Sequence, residues 1–95
     1  MMTDMYLVVV ELATASDVRL TADRLHQALR DSATESDGIQ HVLVEVHADR
    51  TVISLFLQAG GRVAALNAGG QLCRRTMAAI VEAGRWTVTS TYLGL

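Results

Sequence analysis

His41, Glu45 and His47 fall on alternating positions of one apolar run, HVLVEVH, and have the widest chemical repertoire in the chain. Imidazole and carboxylate on one side of a strand invite a metal or an acid–base reading. Spacing argues against both. At about 3.3 Å per residue, His41 and Glu45 stand about 13 Å apart, and one ion with bonds of about 2 Å cannot take both. Glu45 and His47 could supply two ligands only if others arrived from elsewhere, and no nucleophile lies beside them for acid–base work. They read as solvated residues on an edge strand, where charge discourages aggregation. No catalytic residue, metal site or cofactor is assigned.

The other reactive types also have plain roles. His26 falls off the apolar stripe of its helix and reads as a surface histidine. Cys73 lies on the inner stripe of a second helix, as a small buried hydrophobe. Arg74 flanks that stripe and Arg75 points opposite; a solvated face is expected, with an anion site as the alternative. Gly60-Gly61 precedes a helix, and helix N-termini bind phosphate, but AGGRVA lacks the spacing and the Lys of a phosphate loop. It reads as a turn.

The elements that carry these residues follow from periodicity. Met5 to Ala13, MYLVVVELA, is a short β-branched run suited to a central strand. Val18, Ala22, Leu25 and Leu29 then recur at helical spacing. A helix is expected from about 17 to 33, capped at Thr14 or Ser16 with Asp17 at its positive end; Thr21 could start a shorter one. Thr34 to Gly38 is a polar loop. His41 to Gln58 is a hairpin in which Val42, Val44 and Val46 share one face with Ile53, Leu55 and Leu57. A turn at Asp49-Arg50 pairs Val46 with Ile53, Val44 with Leu55 and Val42 with Leu57, and a four-residue loop from Ala48 to Thr51 gives the same pairs. A second helix follows Gly61, its stripe made of Val63, Leu66, Gly70, Cys73, Met77, Ile80 and Val81. At Gly69-Gly70 it either breaks and restarts or runs on with a weak middle whose missing side chains let it approach the sheet; the continuous helix is preferred, stopping at Gly84. RWTVTSTYLGL is a last strand, opened by Trp86 packing over a helix end, with Thr87, Thr89 and Thr91 on one face.

Composition bounds the function classes. The chain has 95 residues, 51% of them hydrophobic, and reads as a single domain over 1–95. A net charge of −2 supplies no basic footprint for nucleic acid. All eight basic residues are Arg, which with the many Ala and Val reads as high-GC bacterial codon usage. One cysteine allows no internal disulfide. No secretion signal is expected, and no run approaches the roughly 18 apolar residues of a membrane span. The expectation is a soluble cytoplasmic protein.

The order strand–helix–strand–strand–helix–strand resembles the ferredoxin-like superfold, the split βαβ sandwich. The resemblance is topological and covers the whole chain. It implies an α+β fold with a four-stranded antiparallel sheet ordered 4-1-3-2, both helices on one face and the other face bare. The aliphatic hairpin face belongs under the helices. The bare face then carries Leu43, Val52 and Phe56, and from the first strand either Leu7, Val9 and Glu11 or Tyr6, Val8 and Val10; the set with Glu11 is preferred, because a charge belongs on the open side. Leu7, Val9, Leu43, Val52 and Phe56 then form one patch, rimmed by Glu11, Glu45, His41 and His47, with the threonines of the last strand beside them. A patch of that size is large for a soluble monomer. The reading is a small non-catalytic interaction or accessory module, homodimeric through this face or a sheet edge, with a peptide or protein as a further partner. A ligand-sensing module similar to ACT domains is the alternative, although ATASDVRLT lacks their glycine loop. An enzyme like the dimeric α/β-barrel monooxygenases would want a polar helix-facing wall, and here the wall is Val, Ile and Leu. RNA binding would want stacked aromatics with basic residues, and only Phe56 qualifies.

Overall fold

A computed structural model describes residues 3–14, 20–80 and 84–94. Their order is β1 (Asp4–Thr14), α1 (Ala22–Ser32), β2 (Ile39–Val46), β3 (Thr51–Ala59), α2 (Arg62–Ala79) and β4 (Trp86–Leu93). The four strands form one antiparallel sheet in the order β2-β3-β1-β4, which read from the other edge is 4-1-3-2. The two helices pack on the sheet and on each other. The α+β class, strand count and strand order therefore stand.

Alternation decides what each strand buries. Val8, Val10 and Leu12 of β1 are fully buried, as are Ile53, Leu55 and Leu57 of β3. They share one core with Leu25 and Leu29 of α1 and with Leu72, Cys73 and Met77 of α2. The opposite face carries Leu7 against Phe56, Val9 against Ser54 and Glu11 against Val52. Phe56 thus lies on the side away from the core, where parity puts it.

Several expectations need correction. The hairpin register is shifted by two residues: Val44 pairs with Ile53, Val42 with Leu55 and Val46 with Thr51. The loop is His47 to Arg50, closed by the His47 amide donating to the Arg50 carbonyl at 2.8 Å. A two-residue turn at Asp49-Arg50 would need left-handed backbone, and no described residue other than glycine has positive φ. A shift of two preserves the faces, so the inner and outer sets survive it, except that Val46 at the strand's end, expected under the helices, is 39% exposed.

In β4 the alternation breaks. Glu11 pairs with Ser90 but Leu12 with Val88, leaving Thr89 as the extra residue of a bulge. Its hydroxyl donates to the Glu11 carbonyl at 3.1 Å. The three threonines are therefore not on one face. Thr87 pairs with Ala13 on the open side, and Thr91 pairs with Val10 on the helix side. Tyr92, opposite Val9, takes the open-face place expected of a threonine.

The helices are shorter than their patterns. Helix α1 is capped by Thr21, whose hydroxyl accepts the Arg24 amide at 3.1 Å. Thr14 is the last residue of β1 rather than a cap, and Ser16, Asp17 and Val18 lie outside the described residues. Helix α2 runs unbroken through Gly69-Gly70 but ends at Ala79; Val81 lies outside the described residues, and Gly84 has the left-handed φ of 57°. Its buried stripe is turned from the expected one, with Ala65, Gly69, Leu72 and Thr76 at its centre and Val63 72% exposed. Gly69 is the reason. A Cβ there would lie 2.7 Å from Val8 Cγ1, so the helix comes closest to the sheet on its small residues. Trp86 opens β4 opposite Thr14 and packs, half-buried, against the core.

Between α1 and β2 a short 3-10 turn, Glu35–Asp37, replaces the expected open loop. Asp37 is the centre of its polar contacts. It accepts from the Thr34 amide at 2.7 Å and hydroxyl at 3.1 Å, and from Arg75 of α2 at 2.8 Å. Arg75 also donates to the Ser32 carbonyl at 3.1 Å. The arginine expected on a solvated face thus ties α2 to the α1–β2 connection.

Candidate interaction face

The open face is built mainly on β1, β2 and β3. Leu7 and Val9 come from β1, Leu43 and Glu45 from β2, Val52 and Phe56 from β3, and the ladders β1–β3 and β3–β2 bring all six to one side. Leu43 is 50% exposed, and Leu7, Val52 and Phe56 are half-buried. Val9 departs from this: it is 8% exposed, set between Ser54 and Tyr92 in the middle of the sheet. Gly94 continues the β4 ladder, its amide donating to the Leu7 carbonyl at 2.8 Å. The Leu7 and Val9 side chains fill the space where a Cβ of Gly94 would stand. Met5 (51% exposed) and Tyr92 (43% exposed) extend the apolar surface. Met5 was legible in the sequence as the next odd position of β1; Tyr92 was hidden by the bulge.

A polar rim surrounds this surface. The His41 and Phe56 rings lie 6.2 Å apart in a tilted arrangement, a geometry aromatic pairs favour. At the other end Glu11 and Arg50 approach to 3.7 Å and His47 and Glu45 to 3.4 Å, all four partly or well exposed. Tyr92 joins them: its loss of hydration, then a hydrogen bond to Glu11 and the Glu11 charge, raise its phenol above the ordinary tyrosine range, with Arg50 opposing. The rim therefore bears both signs of charge.

The remaining chemical candidates sit apart from this face. His26 is half-buried, and its Nε2 lies 3.2 Å from the Val42 carbonyl. A carbonyl only accepts, so Nε2 carries the proton; this histidine bridges α1 to the edge strand β2 rather than facing water alone. Cys73 is buried, and that burial pushes its thiol up to about 12, with Arg74 pulling the other way. A thiol so placed stays protonated and unreactive. Among the described residues no three His, Cys, Asp or Glu side chains gather as metal ligands. No described helix is long and apolar enough to cross a membrane. Gly61 precedes α2 in extended backbone, accepting from Ala65 at its carbonyl.

Set against known proteins, the chain matches no family model, no curated protein and no solved structure.

Proposed function

We propose that this chain is a small non-catalytic interaction module of ferredoxin-like architecture, working in the cytoplasm as a homodimer joined through its open sheet face. The observation that carries this reading is the apolar surface of Met5, Leu7, Leu43, Val52, Phe56 and Tyr92 on a sheet whose described helices both pack on the other side. Two features favour the face over an edge. Strand β2 is bulged at Gln40 and has its Val42 carbonyl engaged by His26. Strand β4 is bulged at Thr89. Bulged, capped edges resist strand-to-strand pairing.

A second copy is the simplest occupant. A two-fold contact must be complementary to itself, and this face offers an apolar centre with carboxylates, an arginine and histidines together on its rim. Size sets the strength. Four strands about 4.8 Å apart and about 26 Å long give a face of roughly 500 Å² in projection. That is the low end of specific interfaces, so a micromolar dimer is expected rather than a tight one.

Light scattering coupled to size exclusion, run from about 10 to 500 µM to span that range, tests it. The expected result is a mass that rises from monomer to dimer, and a Leu43→Glu variant that stays monomeric with unchanged circular dichroism and melting temperature. A monomer at every concentration overturns self-association. A Leu43→Glu protein that still dimerises removes the face from the contact.

A further inference from the structure

We infer that a groove between α2 and β4, on the helix side of the sheet, is a binding site for a small oxyanion, with the Arg74 guanidinium as its centre. The groove encloses about 220 Å³ and is lined by Leu66, Asn67, Gly70, Gln71, Arg74 and Thr91. Asn67, Gln71 and Arg74 lie on successive turns of one helix face, and Thr91 faces them from the strand. Amide, hydroxyl and guanidinium are all donors, and no carboxylate lines the groove among the described residues. Arg74 makes no ion pair or hydrogen bond with any described residue, whereas Arg75 beside it is bound to Asp37 and Ser32. A planar guanidinium that can meet a carboxylate or phosphate in two parallel hydrogen bonds is thus left open.

Two departures from regular structure converge on this groove. The Thr89 bulge turns Thr91 from the open face to the helix side. Gly70 is the second. Its neighbour Gly69 is required by packing, since a Cβ would strike Val8. A Cβ on Gly70 would meet nothing but the Arg74 guanidinium, at 3.2 Å. Glycine in a helix interior lowers stability relative to alanine, and packing against the core gives no reason for it here. Its visible effect is to seat the arginine. Local rules broken without a gain in packing are a mark of functional sites. The site is independent of the dimer, which uses the other side of the sheet.

The test is a titration of the full chain, followed by amide NMR shifts, with inorganic phosphate and separately with succinate, at constant ionic strength so that general screening does not change. A saturating, millimolar response confined to residues 66–74 and the neighbourhood of Thr91 is expected. Saturation by phosphate alone identifies a phosphoryl ligand, and by succinate alone a carboxylate; either supports the site. Arg74→Gln should weaken binding at least tenfold and Thr91→Val a few-fold. Gly70→Ala should raise the melting temperature by about 4 °C or more while weakening binding. Linear shifts with both anions, or saturation undiminished in Arg74→Gln, overturn the site. A Gly70→Ala protein that is less stable overturns the argument from Gly70.

Discussion

The two faces of the sheet are made from the same strands and nearly the same residue types, yet they live in different solvents. Val8, Val10, Leu55 and Leu57 are fully buried, while Leu7, Leu43 and Phe56, one position along, remain open to varying degrees. Hydrophobicity does not separate these sets. Alternation does, because a pleated strand sends successive side chains to opposite sides, and the helices close only one of them. An apolar residue on the closed side contributes to folding; the same residue on the open side can contribute only to association. The two faces also differ in their ion pairs. On the helix side Asp37 and Arg75 meet at 2.8 Å with the carboxylate largely shielded, whereas on the open side Glu11, partly covered, and the well-exposed Arg50 stand 3.7 Å apart.

Truncation breaks the comparison most sharply. Leu55→Ala should cost about 2–5 kcal/mol of folding stability, against about 0.5 kcal/mol or less for Leu43→Ala, measured by urea unfolding at a concentration low enough to be monomeric. Similar costs would mean that the open face is part of the folded monomer's core. The paired glycines come next. Gly69→Ala should destabilise by about 1–3 kcal/mol through collision with Val8, opposite in sign to Gly70→Ala, and differential scanning calorimetry of the two variants reads both.

The ion pairs give the smallest effect. At neutral pH Asp37→Asn should cost about 1 kcal/mol, a modest value because Arg75 is half exposed, while Arg50→Gln should lie within about 0.5 kcal/mol of the parent. Burial raises the Asp37 carboxyl, but the Thr34 amide and hydroxyl and the Arg75 guanidinium outweigh it, holding the group below its ordinary 3.8. A depressed carboxyl stabilises the fold above its unfolded value and loses that contribution as pH falls through the folded one. The gap between parent and Asp37→Asn should therefore persist at pH 5 and close below about pH 4. A gap that instead closes between pH 7 and 5 would assign the linkage to another group.

The hairpin faces were legible because they rest on an alternation that survives small errors, whereas the spatial strand order came only from the topological resemblance that the element order carries. A register misplaced by two residues still turns Val42, Val44, Ile53 and Leu55 inward. The same tolerance fails at Thr89, where one extra residue inverts the pattern and sends Thr91 and Tyr92 to sides opposite those expected. Neither the bulge nor the partner of Arg75 has a local signature. Asp37 lies 38 positions away in sequence and meets Arg75 only after both helices have docked.

Local chemistry in this chain, its alternating strands, its helical stripes and its lack of left-handed residues in the hairpin loop, is enough to determine an α+β fold with one aliphatic and one mixed sheet face. Tertiary structure alone decided which arginine is occupied, which glycine is needed for packing, and where β4 changes phase. Those depend on how closely α2 approaches the sheet, a distance set by all the packed elements together and written in no single segment.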